Sequence, residues 1–157
     1  MAFLKTFARY TRPADTTQYA SGDLVGGVFE FDVTHLPRAN GIIRTASLFK
    51  TNTTVTAANF LLHLFEQPLT ADQPADNAAW TFATHALAEW WVGSVAMDLT
   101  SGTSEGSDGV VKHFAVSDGP FFQRGASDLK LFGILLAQAT YTPTSEERFA
   151  IQLGVES

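Results

Sequence analysis

The chain has 157 residues, of which 45% are hydrophobic and 17% charged, with no cysteine and a formal net charge of −6. This length suits one domain, and the hydrophobic content excludes a disordered chain. No apolar run approaches the ~20 residues of a membrane-spanning helix, and no basic patch indicates nucleic-acid binding. We expect no membrane or nucleic acid as partner, and synthesis in a cytoplasm, since cysteine and the apolar core of a secretion signal are both absent.

In chain order, short apolar segments alternate with turn-rich stretches. Each segment is rich in Val, Ile, Phe, Trp or Leu and is flanked by Gly, Pro, Asn, Asp, Ser or Thr, which is typical of β-strands. A helix of a turn or two is predicted only around Asn77–Trp90, where several alanines favour it. Strands at such regular spacing predict an all-β sandwich or barrel. The predicted strands are Leu24–Val33, Gly41–Lys50, Asn59–Glu66, Trp90–Leu99, Val110–Val116, Phe121–Arg124, Asp128–Gln138 and Arg148–Val155.

The hydrophobic pattern within these strands indicates which sheet faces are buried. Segment Arg148–Val155 alternates between apolar and other residues, as expected when one face is buried and the other is wet. Segments Asp128–Gln138 and Asn59–Glu66 are apolar at both parities. Such strands are covered on both sides, and large apolar surfaces in soluble proteins usually mean association. We interpret their second face as a surface buried against a partner, which predicts self-association.

No group of residues indicates catalysis or metal binding. The sequence has no GxSxG elbow and no HExxH motif, and His63, in an apolar strand, is predicted to be packed rather than to bind a metal. His85 and Glu89 are predicted to form a local surface pair on the possible helix. Glycoside hydrolysis needs two carboxylates that face each other across a cleft, whereas the adjacent Glu146 and Glu147 would point to opposite faces of a strand. We therefore predict that they are solvated turn residues. We expect no enzymatic activity, no cofactor and no metal.

The three tryptophans, Trp80, Trp90 and Trp91, lie in one region of the sequence. Exposed tryptophans often form the platform of a sugar-binding module, which is one interpretation. In the other, Trp90 and Trp91 point to opposite faces of a strand and serve the core and a subunit interface. We favour the second interpretation, because exposed apolar patches usually mean association.

One stretch of the sequence goes beyond composition. Residues Tyr10–Val25 read YTRPADTTQYASGDLV, which resembles the opening segment, of the type TRPADTTAYAxGDxV, of a group of small virion proteins of tailed bacteriophages. The N-terminal Met1–Arg9 and the Trp90–Trp91 pair lie outside that pattern. Three later features resemble the same group and extend the likeness over most of the chain: Gly41–Arg44 at the start of a strand, Phe60–Phe65 before Pro68, and Tyr141–Thr144 before a last strand at Phe149–Leu153.

Proteins that follow this pattern are associated with phage capsids as decoration, or cement, proteins and have jelly-roll-like β-sandwich folds. The resemblance implies a virion protein that binds the outer surface of a phage capsid and cements subunits of the major capsid protein. It also implies a homotrimer, since such proteins often sit at local three-fold positions. The alternative is a phage tail or baseplate component, or a carbohydrate-binding module, that uses exposed tryptophans.

The N-terminal residues allow two interpretations. Arg12 precedes Pro13, which favours extended backbone, so Phe3–Ala20 is either an ordered arm laid over a surface or the first strand of the sandwich. An arm of this kind can add to the sheet edge of a neighbour. The residues predicted to contact the capsid or another subunit are Phe3, Leu4, Phe7, Tyr10, Arg12, Trp90 and Trp91.

The complete prediction is an all-β, jelly-roll-like antiparallel sandwich of about eight strands. Residues 1–23 are predicted to form an N-terminal arm and turn motif, and residues 24–157 a single β-sandwich domain. The predicted location is the capsid surface of a virion assembled in the host cytoplasm.

Overall fold

The computed structural model describes residues 2–37, 40–69, 75–80, 89–101, 103–104, 108–123 and 130–157. The described residues form an antiparallel β-structure, and most of the helix predicted around Asn77–Trp90 lies outside them. The strands are β1 (Phe3–Thr11), β2 (Phe29–Asp32), β3 (Asn40–Lys50), β4 (Asn59–Phe65), β5 (Trp91–Asp98), β6 (Thr103–Ser104), β7 (Val110–Ala115), β8 (Phe121–Gln123), β9 (Lys130–Ala137) and β10 (Arg148–Glu156).

The long strands pair in a nested order. Strand β1 pairs with β10, β2 with β9, β3 with β7 and β4 with β5, and all four pairs are antiparallel. A long hairpin that is paired in this way and rolled up is a jelly roll. Sheet 1 has the order β1-β10-β3-β7-β6, with β8 beside β3, and sheet 2 has the order β2-β9-β4-β5. The predicted jelly-roll-like sandwich is confirmed.

The predicted strand bounds agree with the structure to within two residues in most segments. The predicted strand Leu24–Val33 is the exception, because only Phe29–Asp32 is a strand. Gly26 interrupts the extended chain with a φ of +84°, a conformation that glycine adopts without steric cost. The ring of Tyr10 packs against Gly26 so closely that a Cβ there would lie 2.8 Å from it.

The N-terminal segment is an edge strand of sheet 1. Of the two interpretations of Phe3–Ala20, the structure shows the first strand over Phe3–Thr11, since β1 pairs with β10 along its whole length. Alternation explains this pairing, because every second side chain of the segment turns toward the core while the others face outward. The inward-facing side chains are Leu4, Thr6, Ala8 and Tyr10.

The main core lies between the two sheets. The predicted alternation of β10 is confirmed, because its apolar residues at one parity are fully buried while Arg148 at the other parity is exposed. The buried residues of β10 pack against apolar side chains from the inner face of sheet 2. The central members of this core are Phe149, Ile151, Leu153 and Val155 from β10, and Phe31, Phe60, Leu62 and Leu135 from sheet 2.

A second apolar cluster lies on the outer face of sheet 2. Strand β9 is buried at both parities, as predicted, with Leu131 in the main core and Ile134 in the second cluster. The side chains that cover this face belong to the same chain, so our interpretation of this surface as buried against a partner is wrong. Periodicity reports that both faces are buried, but not which segment buries them. We call the covering residues Leu24, Val28, Leu69 and Trp80 the cover.

Backbone hydrogen bonds tie the cover together. The amide of Leu24 donates to the carbonyl of Ala78 over 3.0 Å, and the amide of Asn77 donates to the carbonyl of Leu24 over 2.9 Å. The amide of Trp80 donates to the carbonyl of Gly22 over 3.1 Å. The segment around Leu24 also bonds to β9, so it extends the edge of sheet 2 and pairs with the segment around Ala78 on its other side.

Candidate interaction surface

The outer face of sheet 1 has no comparable apolar cluster above it among the described residues. Strand register places the outward residues in rows, one of which runs Arg9, Ala150, Phe49 and Val111 across four strands. A parallel row begins at Phe7. We call this surface the open face, and it consists of Phe3, Phe7, Arg9, Ser47, Phe49, Val111, His113, Phe121, Ala150 and Gln152.

Two shallow depressions cross the open face. One has a volume of about 510 Å³ and is lined by Arg9, Phe49 and Ala150 among others. The second, of about 360 Å³, lies beside Phe7 and reaches His113. Both are broad rather than enclosed, and this shape suits contact with another protein surface better than capture of a small molecule.

Three phenylalanines are the most exposed apolar side chains of this face: Phe3 and Phe7 of β1, and Phe121 of β8, which the strand register places in the same row as Phe3. Phe3 is 56% exposed and Phe7 58% exposed. The guanidinium of Arg9 lies 4.8 Å from the centre of the Phe7 ring, close enough for a cation–π contact. An aromatic ring held in place at the surface loses little further freedom when a partner covers it.

Leu4 and Tyr10, two other predicted contact residues, do not belong to this surface. Both pack against the main core from the inward side of β1. Burial, together with the neighbouring carboxylate of Asp76, raises the pKa of Tyr10 to about 12. Their role in the structure is to anchor β1 to the sandwich.

Arg12 lies inside the fold, so the prediction that it contacts a partner is withdrawn. Its side chain is 1% exposed, with Nη2 3.1 Å from Oδ1 of Asp15 and Nε 3.4 Å from Oδ2 of Asp76. The guanidinium also lies 4.7 Å from the centre of the Tyr19 ring. Burial acts to lower the pKa of Arg12, but Tyr19, Asp76 and Asp15 raise it overall, so the group stays charged.

Asp76 is the centre of this internal network. Its Oδ1 accepts a hydrogen bond from the Tyr19 hydroxyl over 2.7 Å and another from the amide of Gly26 over 2.8 Å. Burial and this carboxylate together raise the pKa of Tyr19. Because Arg12, Tyr19 and Gly26 follow β1 while Asp76 precedes Trp80, the network joins the end of β1 to the cover.

A buried ion pair lies close to the same end of the sandwich. Glu147 is fully buried, which overturns our prediction that it is a solvated turn residue, whereas Glu146 is exposed as predicted. The Glu147 carboxylate accepts a hydrogen bond from the Tyr141 hydroxyl over 2.6 Å and lies 3.5 Å from Nζ of Lys50. Burial lowers the pKa of Lys50, while Glu147 opposes that shift. Alternation contained a signal for this burial, because Glu147 has the same parity as Phe149.

The tryptophans are divided between the cover and the surface. Trp80 is buried, so it is not an exposed sugar-binding platform. The prediction that one of Trp90 and Trp91 serves the core is wrong, because Trp90 is 37% and Trp91 44% exposed. The ring of His63 lies between Trp80 and Trp91, at 5.7 Å and 6.3 Å from their ring centres. Sequence reasoning missed a further exposed aromatic, Phe121 on β8.

His63 is buried in sheet 2, which confirms that it is a packed residue. Burial lowers its pKa below the ordinary value of 6.5.

The predicted pair of His85 with Glu89 falls outside the described residues, since His85 is not among them. The described residues contain no group of three side chains that could hold a metal ion, and they contain no helix long and apolar enough to cross a bilayer.

The fold is a jelly-roll β-sandwich in which the chain covers the outer face of sheet 2, while the described residues leave the outer face of sheet 1 open. No family model and no curated protein matches the sequence. Among solved structures, a decameric BFDV capsid protein is similar at 9% identity and a TM-score of 0.36, over 98% of this chain and 96% of that one.

Two virus structures are also similar. Desmodium yellow mottle tymovirus has 9% identity and a TM-score of 0.27, over 99% of this chain and 81% of that one. Turnip yellow mosaic virus has 9% identity and a TM-score of 0.27, over 98% and 93%. At identities and TM-scores this low, we conclude nothing about function from these likenesses.

Proposed function

We propose that this protein is a structural component of a tailed-phage virion, which binds the outer surface of the capsid and cements subunits of the major capsid protein. The resemblance of Tyr10–Val25 to capsid decoration proteins supports the proposal. In this chain the residues of that motif contribute to the internal network through Arg12, Asp15 and Tyr19. They build the fold, and a different surface meets the capsid.

The open face is the observation that carries the proposal. It presents Phe3 and Phe7 at the margin of a broad sheet surface, with Phe49 half-buried between the two depressions. Exposed aromatic side chains grouped on one face of a soluble protein indicate a surface that another protein covers. A rigid sheet face also suits a role in which many identical copies bind the same lattice.

The proposed mechanism is mass action. A ligand that binds the assembled shell but not the separated subunits stabilises the shell by its own binding free energy. No catalysis is needed.

We also propose a homotrimer, but its support is now the resemblance alone, because the apolar outer face of sheet 2 is covered within the chain. Sedimentation velocity tests it, and a strict monomer would contradict it.

The experiment uses shells of the major capsid protein of the same phage, assembled without this protein. Wild type should cosediment with the shells and raise the temperature at which they come apart. Phe7→Ser should weaken binding by about tenfold or more, because buried aromatic anchors dominate interface energies.

Trp91→Ser is the control for Phe7→Ser, since Trp91 is likewise an aromatic side chain, 44% exposed, but lies on β5 of sheet 2, away from the open face. This variant should bind as wild type does. Failure of wild type to bind shells at all would overturn the proposed function, and equal losses in both variants would overturn the assignment to the open face.

The second candidate is a tail or baseplate component, or a carbohydrate-binding module. The exposure of Trp90 and Trp91 favours it, because exposed indole rings can stack on sugar rings. Glycan-array binding that is lost in Trp91→Ala, together with no affinity for shells, would select this candidate. Shell binding that is unchanged in Trp91→Ala would select the first.

A further inference from the structure

The outer edge of β1 is unpaired in the part of the chain that the structure describes. Strand β1 is the first strand of sheet 1, and β10 is its one hydrogen-bonded neighbour among the described strands. It is nine residues long, with no register shift against β10. A long straight edge of this kind is a template for another extended chain.

Hydrogen bonding shows which backbone groups face that edge. Ala2 and Ser157 exchange both of their backbone hydrogen bonds, and the amide of Arg12 donates to the carbonyl of Glu147. In an antiparallel pair the exchanging residues alternate, so the even-numbered residues of β1 bond to β10. The odd-numbered residues turn their N–H and C=O groups toward the free edge, and these residues are Phe3, Lys5, Phe7, Arg9 and Thr11.

A groove runs along this edge and gives an added strand a place for its side chains. Its volume is about 290 Å³. The Asp32 carboxylate in its wall accepts hydrogen bonds from the amide and hydroxyl of Thr34. The groove is lined by Leu4, Lys5, Thr6, Phe7, Asp32 and His35.

The charges of β1 decide between two occupants. Lys5 and Arg9 are both exposed, and β1 contains no acidic residue. If a second copy paired antiparallel about Phe7, Lys5 of one copy would lie opposite Arg9 of the other at both ends of the pair. Like charges directly opposite each other destabilise a sheet, so the edge disfavours a second copy. An extended segment with carboxylates at these positions is complementary.

We propose that the free edge of β1 takes up an extended, acidic segment of the capsid protein as an additional strand of sheet 1. This inference rests on the proposed function and states how the partner is held. Main-chain hydrogen bonds to the odd-numbered residues supply affinity, and Lys5 and Arg9 select for carboxylates. Phe3 and Phe7 then lie beside the outward side chains of the added strand, at the margin of the open face.

A proline substitution at Phe7 tests the contribution of the edge backbone to binding separately from that of the side chain. Phe7→Pro removes an N–H that points away from β10, and sheets tolerate proline at such edge positions. Phe7→Ser removes the same ring but keeps the N–H. If the segment adds as a strand, Phe7→Pro should bind shells about fivefold more weakly than Phe7→Ser, the effect of one further hydrogen bond. Thermal unfolding of both variants checks that each is folded.

Hydrogen exchange measured on the bound protein is the second readout. The amides of Phe3, Lys5, Phe7, Arg9 and Thr11 should exchange quickly in the free protein and be protected on the shell. The charge reversal Lys5→Glu with Arg9→Glu should weaken shell binding by about tenfold or more. Protection together with these losses would support the proposal.

The other outcomes overturn it in distinguishable ways. If shells bind wild type but leave these amides exchanging quickly, and Phe7→Pro matches Phe7→Ser, the strand-addition mode is wrong while the proposed function stands. If the edge amides are protected without shells in a dimer that Phe7→Pro disrupts, the occupant is a second copy. If wild type does not bind shells, both proposals fail.

Discussion

The two sheets of the sandwich differ in whether the chain itself covers their outer faces. Sheet 2 is covered by Leu24, Leu69 and Trp80 of its own chain, which form a second apolar cluster with β9. Sheet 1 leaves Phe3 and Phe7 more than half exposed on a surface that alternates apolar and polar residues. The more apolar strands therefore belong to the face that is already buried, and the mixed strands form the face available to a partner.

This difference shows that the most hydrophobic strands of the protein are not the ones that a partner can reach. Strand β9 is buried at both parities because folding itself supplies its second contact. The link from Arg12 and Tyr19 to Asp76 fixes the cover, since it connects the chain after β1 with the segment before Trp80. A partner surface is better sought where exposed aromatic side chains remain after the chain has covered itself.

The largest expected effect is the loss of the cover. Trp80→Ala should lower the free energy of unfolding by about 3–5 kcal/mol, because it removes a buried ring from the second cluster and leaves a cavity. Trp91→Ala, at a surface tryptophan, should cost less than about 1 kcal/mol. Urea unfolding measures both, and equal effects would mean that Trp80 does not cover sheet 2.

The next effect tests the link between β1 and the cover. Asp76→Asn should destabilise the protein by about 1–3 kcal/mol, because a partly buried carboxylate that accepts hydrogen bonds from Tyr19 and Gly26 becomes a neutral amide beside Arg12. Asp118→Asn changes an exposed carboxylate and should stay within about 0.5 kcal/mol. Similar midpoints for both variants would contradict the structural role of Asp76.

A smaller effect, which depends on pH, is expected at His63 in sheet 2. Burial holds the pKa of His63 below 6.5 in the folded state, so the unfolded state binds more protons between that lowered pKa and 6.5. Stability should therefore rise with pH across that window and fall when the protein is acidified through it. In His63→Leu, thermal unfolding between pH 7 and 5 should show a shallower slope, and an unchanged slope would contradict the prediction.

The smallest effect on stability is expected at the open face. Phe7→Ser should change the free energy of unfolding by no more than about 0.5 kcal/mol, because this ring is largely in solvent and no buried contact is lost. Urea unfolding of this variant beside wild type gives the value. A loss of several kcal/mol would show that Phe7 belongs to the core, and the contrast between the two faces would fail.

Local sequence patterns were enough to predict the strands and to predict which side chains of β10 point into the core. Alternation places Phe149, Ile151 and Leu153 on one face whatever the rest of the chain does. The burial of Arg12 was not predictable in this way, because its partner Asp76 is 64 residues away. The sequence shows charges but not their long-range pairing, so Arg12 was expected at the surface.

The candidate site was predictable only in part. Phe3 and Phe7 were among the predicted contact residues and are exposed, whereas Leu4 and Tyr10 of the same strand pack inward. One of the two interpretations of this segment was an arm, and in an arm the sequence does not determine which side chains face the protein and which face outward. Only the pairing of β1 with β10 shows which side chains remain outside.

The most direct test of the central claim is a cryo-electron microscopy reconstruction of capsids decorated with this protein. We expect density for the sandwich over the joints between major capsid protein subunits, with sheet 1 facing the shell and the cover over sheet 2 facing solvent. Density with the cover against the shell, or no density on the capsid at all, would contradict it.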